Sequence, residues 1–309
     1  MKTFQFQASQ FPSIKRLDLF LQKALESNDI DLSKSQVRKL IMIGCVFLNH
    51  KRCKQSSEVI HPKDHLKITF DPDKLIKKNR KWEFHTKWVV HEDESIIVIN
   101  KPSGLPTQAT VDQRRDHLYG LTLDYLKTKT KKAYLGLHHR LDVGTSGLVL
   151  FTKQKEANRS IATQFKSSQI KKIYLALCHR SNKKNKKQWT QESFLKKVRT
   201  DKKRSVFGSV KSGGKKAVTH FKILKQTKAV ALIEAKPITG RTHQIRVHLL
   251  ESDFPIIGDS IYKKGNSTKN DSLKNRLHLH AATLSFTHPK SERQLTLHSS
   301  PDFLDHLPF

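Results

Sequence analysis

Cysteine is scarce in this chain. Cys45, Cys53 and Cys178 are the only three in 309 residues, and they are scattered. That scatter excludes a disulfide framework and a cysteine-based zinc site, and it fits a reducing cytoplasm. Acidic residues are also few: Asp and Glu total 27 against 59 Lys and Arg, a formal net charge of +32. Such a balance argues for a polyanionic partner, either nucleic acid or an anionic membrane surface. Apolar runs are short. None approaches the roughly 20 residues that a membrane span needs, and Met1 to Gln7 has no signal-peptide apolar core. The 17 histidines are dispersed. His243 and His248, and His278 and His280, form close pairs without accompanying cysteine, so no metal site is expected. Solenoid-type repeats and nucleotide-binding motifs are missing too.

What is present centres on one stretch, His138 to Phe151. It ends in the apolar run Leu148 to Phe151, of the kind a buried strand shows. Before the run lies a loop with two glycines and two hydroxyl residues, a backbone that turns tightly. Asp142 sits in that loop between Leu141 and Val143, with Arg140 two residues away. Physics alone leaves two readings. The carboxylate is a turn cap, or it is a poorly solvated anion with a cation in reach, suited to act as nucleophile or general base.

Upstream, Leu17, Phe20, Leu21, Ala24 and Leu25 have helical spacing over residues 16 to 26. Ser33 and Gln36 have the form of a capping box, opening a second helix from Val37 to Ile43 that Gly44 ends. Val46 to Leu48 and Leu66 to Phe70 read as strands, with a turn at Asn49-His50. Lys34, Arg38 and Lys39 lie along the second helix. Residues 71 to 84 are polar and basic with Pro72, and read as a linker. Ile96 to Ile99 reads as a buried strand, followed by the rigid turn Asn100 to Pro106. That strand and turn fully account for Lys101, which is left only a possible RNA contact.

Downstream, Ala157, Ile161, Ala162 and Phe165 share a helix face, and Lys172 to Leu177 alternates as a strand carrying Tyr174. Taken alone, Tyr174 reads as a core tyrosine. Residues 180 to 216 are the most basic segment, with the density of a phosphate-contacting hairpin or loop. Thr239 to Leu249 follows a strand over Ala229 to Ala235 and starts a helix with Thr242 near its N-cap. Arg241 beside that helix start makes an anion site.

The string from His139 to Leu148 closely resembles the signature of RluA-type pseudouridine synthases: His-Arg-Leu-Asp, two variable residues, then Thr-Ser-Gly-Leu. Asn100 to Leu105, Lys172-Ile173-Tyr174-Leu175-Ala176, Thr239 to Arg246, Pro255 to Asp259 with Tyr262, and Leu277 to Ala281 resemble further motifs of that family, in order. Residues 16 to about 70 resemble the small RNA-binding domain named after a ribosomal small-subunit protein. That domain usually has Gly where this chain has His50, so a slightly different turn is expected.

The resemblance implies an α+β fold. It comprises a small N-terminal RNA-binding domain over 14–70, a linker over 71–84, and a catalytic domain over 85–309 built on a mixed, mainly antiparallel sheet. The implied reaction is isomerisation of uridine to pseudouridine in RNA, with no cofactor, no metal and no nucleotide cofactor. Asp142 takes the catalytic position, acting by addition to the anomeric carbon or by removal of a ribose proton. Arg246 pairs with it, Tyr174 lies against the target base, and Arg140 braces the space that a flipped base leaves. Lys34, Arg38, Lys39, Arg241, His243 and Gln244 are the expected RNA-contacting residues. The expected protein is a cytoplasmic monomer acting on structured RNA, foremost large-subunit ribosomal RNA. The alternatives are a transfer RNA synthase and a non-catalytic RNA-binding or ribosome-assembly protein of the same fold. A binder of anionic membranes ranks last, for want of an amphipathic anchor.

Overall fold

The structure, a computed structural model, describes residues 1–71, 82–110, 116–180, 187–201, 204–263 and 276–306. It divides into two compact units, Met1–Asn79 and Arg80–Phe309. Most of the expected linker, residues 72–81, lies outside the described residues. Trp82 and Phe84 belong to the second unit, packed against its core.

In the first unit, strands β1 (Lys2–Gln7), β2 (Val46–Leu48), β3 (Lys51–Cys53) and β4 (His65–Phe70) form a sheet in the order β1-β4-β2-β3. Helices α1 (Leu17–Glu26) and α2 (Lys34–Met42) supply the rest of its core. The α1 stripe Leu17, Phe20, Leu21, Ala24 and Leu25 is fully buried. Ser33 caps α2 through the reciprocal bonds with Gln36 that the sequence expects. Asn49 and His50 both take left-handed backbone, φ 47° and 66°, so the histidine is accommodated in a tight hairpin turn and does not displace it. The N-terminal strand was not read from the sequence. Phe4 and Phe6 alternate toward the core and pair with Ile68 and Leu66 of β4, so the sheet begins at Lys2, ahead of residue 14.

The second unit is built on an 11-stranded sheet. Its strands are β5 (Val89–Glu92), β6 (Ile96–Lys101), β7 (Gly136–Leu137), β8 (Ser146–Thr152), β9 (Lys171–His179), β10 (Gln188–Asp201), β11 (Arg204–Ser209), β12 (Lys215–Gln226), β13 (Val230–Pro237), β14 (Leu279–Thr287) and β15 (Gln294–His298). The path is β11-β10-β12-β13-β9-β14-β8-β6-β5, with β7 on β8 and β15 on β14. All these pairings are antiparallel except β8 with β14. The fold is α+β, with a mixed and mainly antiparallel sheet.

The continuous apolar runs of β6 and β8 have a packing reason. Ile97, Ile99, Val149 and Phe151 face helix α3 (Leu118–Lys129), through Leu118, Leu121 and Leu126. Ile96, Val98, Leu148 and Leu150 face Ile161 of helix α4 (Lys155–Lys166). Strands covered on both faces lose the polar half of the alternation. A third helix, α5 (Gln244–Glu251), packs Ile245 and Leu249 on Ala176, Phe221 and Ile233. The centre of the sheet thereby brings residues near 100, 142, 174 and 246 to one region.

Candidate active site

The loop 138–145 leads into β8, and the 101–107 turn clamps it. Gly104 N donates to Val143 O at 2.8 Å, Ser103 Oγ to Gly144 O at 2.7 Å, and Thr107 Oγ1 to Leu141 O at 2.9 Å. Lys101 is 0% exposed. Its Nζ donates to Leu105 O at 2.8 Å, Pro102 O at 3.0 Å and Val143 O at 3.3 Å. Burial lowers its pKa to about 7, with Asp142 opposing. The suggested RNA contact for Lys101 is thus corrected: its ammonium is spent inside, bracing the Asp142 loop. At the loop's end Gly147 has φ +110°, and a Cβ there would lie 2.3 Å from Ala281 O. Only glycine allows the parallel contact between β8 and β14.

Asp142 is partly buried, and its carboxylate meets side chains from α5. Arg246 Nη1 donates to Asp142 Oδ2 at 3.2 Å, and His243 Nε2 lies 3.7 Å from the same oxygen. Residue order alone puts Arg140 in reach of Asp142, and the resemblance gives the pairing to Arg246; Arg140 is exposed at the cavity mouth, and the paired cation is Arg246. The other edge of Arg246 is held by Asp259, Nε to Oδ2 at 2.7 Å and Nη2 to Oδ1 at 2.8 Å. Asp259 also accepts from the amides of Ile261 and Tyr262. Burial works against the guanidinium charge, but the bonds and charge of Asp259, then Asp142, outweigh it and raise its pKa. Arg246 is a fixed cation aimed by one carboxylate at another. The sequence assigned no role to Asp259 or Tyr262, although both fall in a matched motif.

Asp142 stands where two cavities meet. One, of about 510 Å³, is lined by Tyr174, Ile245 and Leu279. The other is a cleft of about 1490 Å³ reaching Trp88, Ser205 and Arg276. Arg140, Leu141, Asp142, His243 and Arg246 line both. Tyr174 is half-buried, and burial, then the charge of Asp142, raises its phenol well above the ordinary range. Lys172 enters the smaller cavity too, its ammonium 6.0 Å from the Phe165 ring centroid and its pKa lowered by burial.

One sequence expectation fails at this helix. Thr242 lies next to the N-cap, as expected; the N-cap itself is His243, in left-handed backbone at φ 58° and without a side-chain cap bond. Gln244 is 3% exposed. Its oxygen accepts from Thr239 Oγ1 and Arg241 N, and its nitrogen donates to Val218 O and Thr219 Oγ1. With its groups satisfied internally it has no polar group left over for the RNA contact that the resemblance implies. Arg241 is exposed beside the cavity. In the first unit Lys34 and Lys39 are exposed, while Arg38 is drawn to the fully buried Asp18, Nε to Oδ2 at 2.7 Å. The segment 187–216 forms the β10–β11 hairpin and the start of β12, with Lys196, Lys197 and Arg199 exposed on β10. Lys183, Lys184, Lys186, Lys202 and Lys203 lie outside the described residues. Among the described residues no group of His, Cys, Asp and Glu is arranged to hold a metal ion, and no helix is long and apolar enough to cross a membrane.

A mixed sheet with a carboxylate–guanidinium pair at a cavity junction matches a known class: the family described as RNA pseudouridylate synthase matches residues 95–251, and the chain belongs to it. Its motifs and relatives are of the RluA type, and the activity is that of an isomerase. A ribosomal large subunit pseudouridine synthase C from Buchnera aphidicola subsp. Baizongia pistaciae is 32% identical, over 98% of this chain and 97% of its own. A ribosomal large subunit pseudouridine synthase D from Neisseria meningitidis serogroup A is 33% identical, over 94% of this chain and 77% of its own. Among solved structures, Human RNA Pseudouridylate Synthase Domain Containing 4 superposes with a TM-score of 0.58 at 28% identity, over 72% of this chain and 91% of that one.

Proposed function

We propose that this enzyme isomerises uridine to pseudouridine in large-subunit ribosomal RNA, with Asp142 as the reacting carboxylate. The relatives named as large-subunit synthases support the substrate. The observation that carries the chemistry is the Asp142–Arg246–Asp259 array at the junction of the two cavities. The reaction breaks the N-glycosidic bond, turns the uracil while it is held, and joins its carbon 5 to the anomeric carbon. Atoms and oxidation state are conserved, so neither redox partner nor phosphate donor is called for. Asp142 either adds to the anomeric carbon or takes a ribose proton. In both routes Arg246 holds the carboxylate toward the sugar, and Tyr174 supports the base. Arg140, at the mouth, braces the gap that the extruded nucleotide leaves in the RNA.

The exposed Lys34 and Lys39 of the first unit, and Lys196, Lys197 and Arg199 of the hairpin, supply phosphate contacts that raise affinity without reading the base. The protein acts as a cytoplasmic monomer. The test is Asp142→Asn in single-turnover assays on ribosomal RNA. The rate falls by about a thousandfold or more, about 4 kcal/mol of transition-state stabilisation, while RNA affinity changes little. Full turnover by the Asn variant would remove Asp142 from the reaction. A site-resolved pseudouridine map of cellular RNA, with and without the gene, tests the substrate: sites lost only from transfer RNA would overturn the ribosomal reading.

A further inference from the structure

A chain of hydrogen bonds runs from the basic hairpin to His243, beside Asp142. The amide of Phe207, on β11, donates to the Tyr262 hydroxyl at 2.8 Å. The same hydroxyl lies 2.8 Å from His243 Nδ1. Tyr262 is 4% exposed, and these two are its hydroxyl's partners among the described residues. An amide N–H can only donate, so it occupies a lone pair of the phenol oxygen. Were His243 Nδ1 to donate as well, the phenolic proton would be buried without an acceptor, a costly arrangement. Tyr262 therefore donates to Nδ1, and the imidazole proton sits on Nε2. Nε2 faces Asp142 Oδ2 at 3.7 Å. That separation is too long for a direct hydrogen bond, and it suits a third polar atom lying against both groups.

We propose that His243 is a neutral hydrogen-bond donor to an oxygen of the target nucleotide at Asp142, and that Tyr262 is the positioning residue that fixes its tautomer and ties it to the hairpin. The inference rests on the reading of Asp142 as the reacting carboxylate. The ring has little freedom. Its residue is the left-handed N-cap of α5, the Phe207 ring meets it edge-on at 5.5 Å, and the Tyr262 ring does so at 5.4 Å. The charged groups that face it are Asp142, Arg246, Asp259 and Arg140. Burial disfavours the imidazolium, Asp142 opposes this and Arg246 adds to it, and the balance is a lowered pKa. The Arg246 guanidinium lies over the Tyr262 ring, 4.9 Å from its centroid. One tyrosine thus sets both groups that α5 presents to Asp142, through its hydroxyl for one and its ring face for the other. Replacing Tyr262 by Phe removes the first role and keeps the second.

The experiment uses the full chain and its ribosomal RNA. Nitrogen NMR of histidine-labelled protein reads which ring nitrogen of His243 carries the proton, independently of activity; single-turnover rates are measured across pH. In the wild type His243 is neutral and protonated on Nε2. In Tyr262→Phe the rate drops about tenfold or more at unchanged RNA affinity. Its profile gains an acidic limb, because Nδ1 is then free to take a proton beside Asp142. Among replacements of His243, Gln places an amide nitrogen near the Nε2 position and retains about tenfold more activity than Leu, with no such limb. A proton on Nδ1 in the wild type overturns the proposal. So does a Tyr262→Phe enzyme with wild-type rate and pH profile, or a Gln variant no better than Leu. If Tyr262→Phe does not fold, the spectrum and the Gln–Leu comparison decide. A wild type inactive on RNA would sink the reading of Asp142, whereas an active wild type that fails these tests sinks this inference alone.

Discussion

At the scale of single residues, Tyr174 shows how position alters chemistry. Its ring lines the cavity beside Asp142, and burial followed by the neighbouring negative charge raises its pKa. The phenol therefore stays protonated through the neutral range. It can donate a hydrogen bond or relay a proton, but it does not serve as a phenolate. Tyr174→Phe is expected to bind RNA normally and to lose about ten- to a hundredfold in single-turnover rate. The wild-type rate should show no rise between about pH 7 and 9 that the Phe variant lacks. A fully active Phe variant would leave the ring only a stacking role. The resemblance could name Tyr174 and Asp142, because both sit in dense motifs. It could not show that Gln244 points inward or that Lys101 is sealed, since the burial of a polar side chain depends on what packs over it.

At the scale of elements, the junction of β8 and β14 sets the catalytic loop. Gly147 is the second residue of β8, just past that loop, and a methyl group there would strike the Ala281 carbonyl on a backbone that already disfavours a side chain. Gly147→Ala is expected to destabilise the second unit by about 2–4 kcal/mol, seen as a lower urea midpoint. An unchanged midpoint would mean that the two strands can part at no cost. Several elements were legible because local signals agree: the capping box of α2, the apolar stripe of α1, and the unbroken apolar run of β8. Helix α3 and strand β1 carry no such agreement of local signals, although Phe4 and Phe6 alternate. A short amphipathic strand becomes recognisable only with its partner, here β4.

For the whole molecule, two behaviours follow from charge and burial. Removing residues 1–79 is expected to leave the second unit folded, to weaken RNA binding about tenfold, and to flatten its salt dependence, because fewer phosphates are neutralised. Equal affinity with an equal salt slope would deny the first unit a docking role. The second behaviour concerns acid. His248 and His280 are 0% and 2% exposed, and burial lowers both to about pKa 4. Between their unfolded value of 6.5 and about 4, the unfolded chain binds protons that the folded chain refuses. Stability is therefore lost as pH falls through that window. At about pH 5.5 the loss is on the order of 1 kcal/mol per histidine, measurable as a lower denaturant midpoint than at pH 7. A pH-independent midpoint would show that these histidines titrate alike in both states.

The sequence by itself determined the polyanionic partner, the family motifs, and Asp142, Tyr174 and Arg246 as the residues to watch. The partner class follows from composition, and the three residues follow from the motifs' resemblance to the family; both are local properties. Only the tertiary structure decided how Arg246 meets Asp142, because Arg246 arrives from a helix 104 residues further on. It also gave Asp259 the task of aiming Arg246, spent Lys101 on three carbonyls, and linked Phe207 through Tyr262 to His243. A hydrogen bond exists only when distance and direction coincide, and chain folding sets both between residues that the sequence keeps far apart.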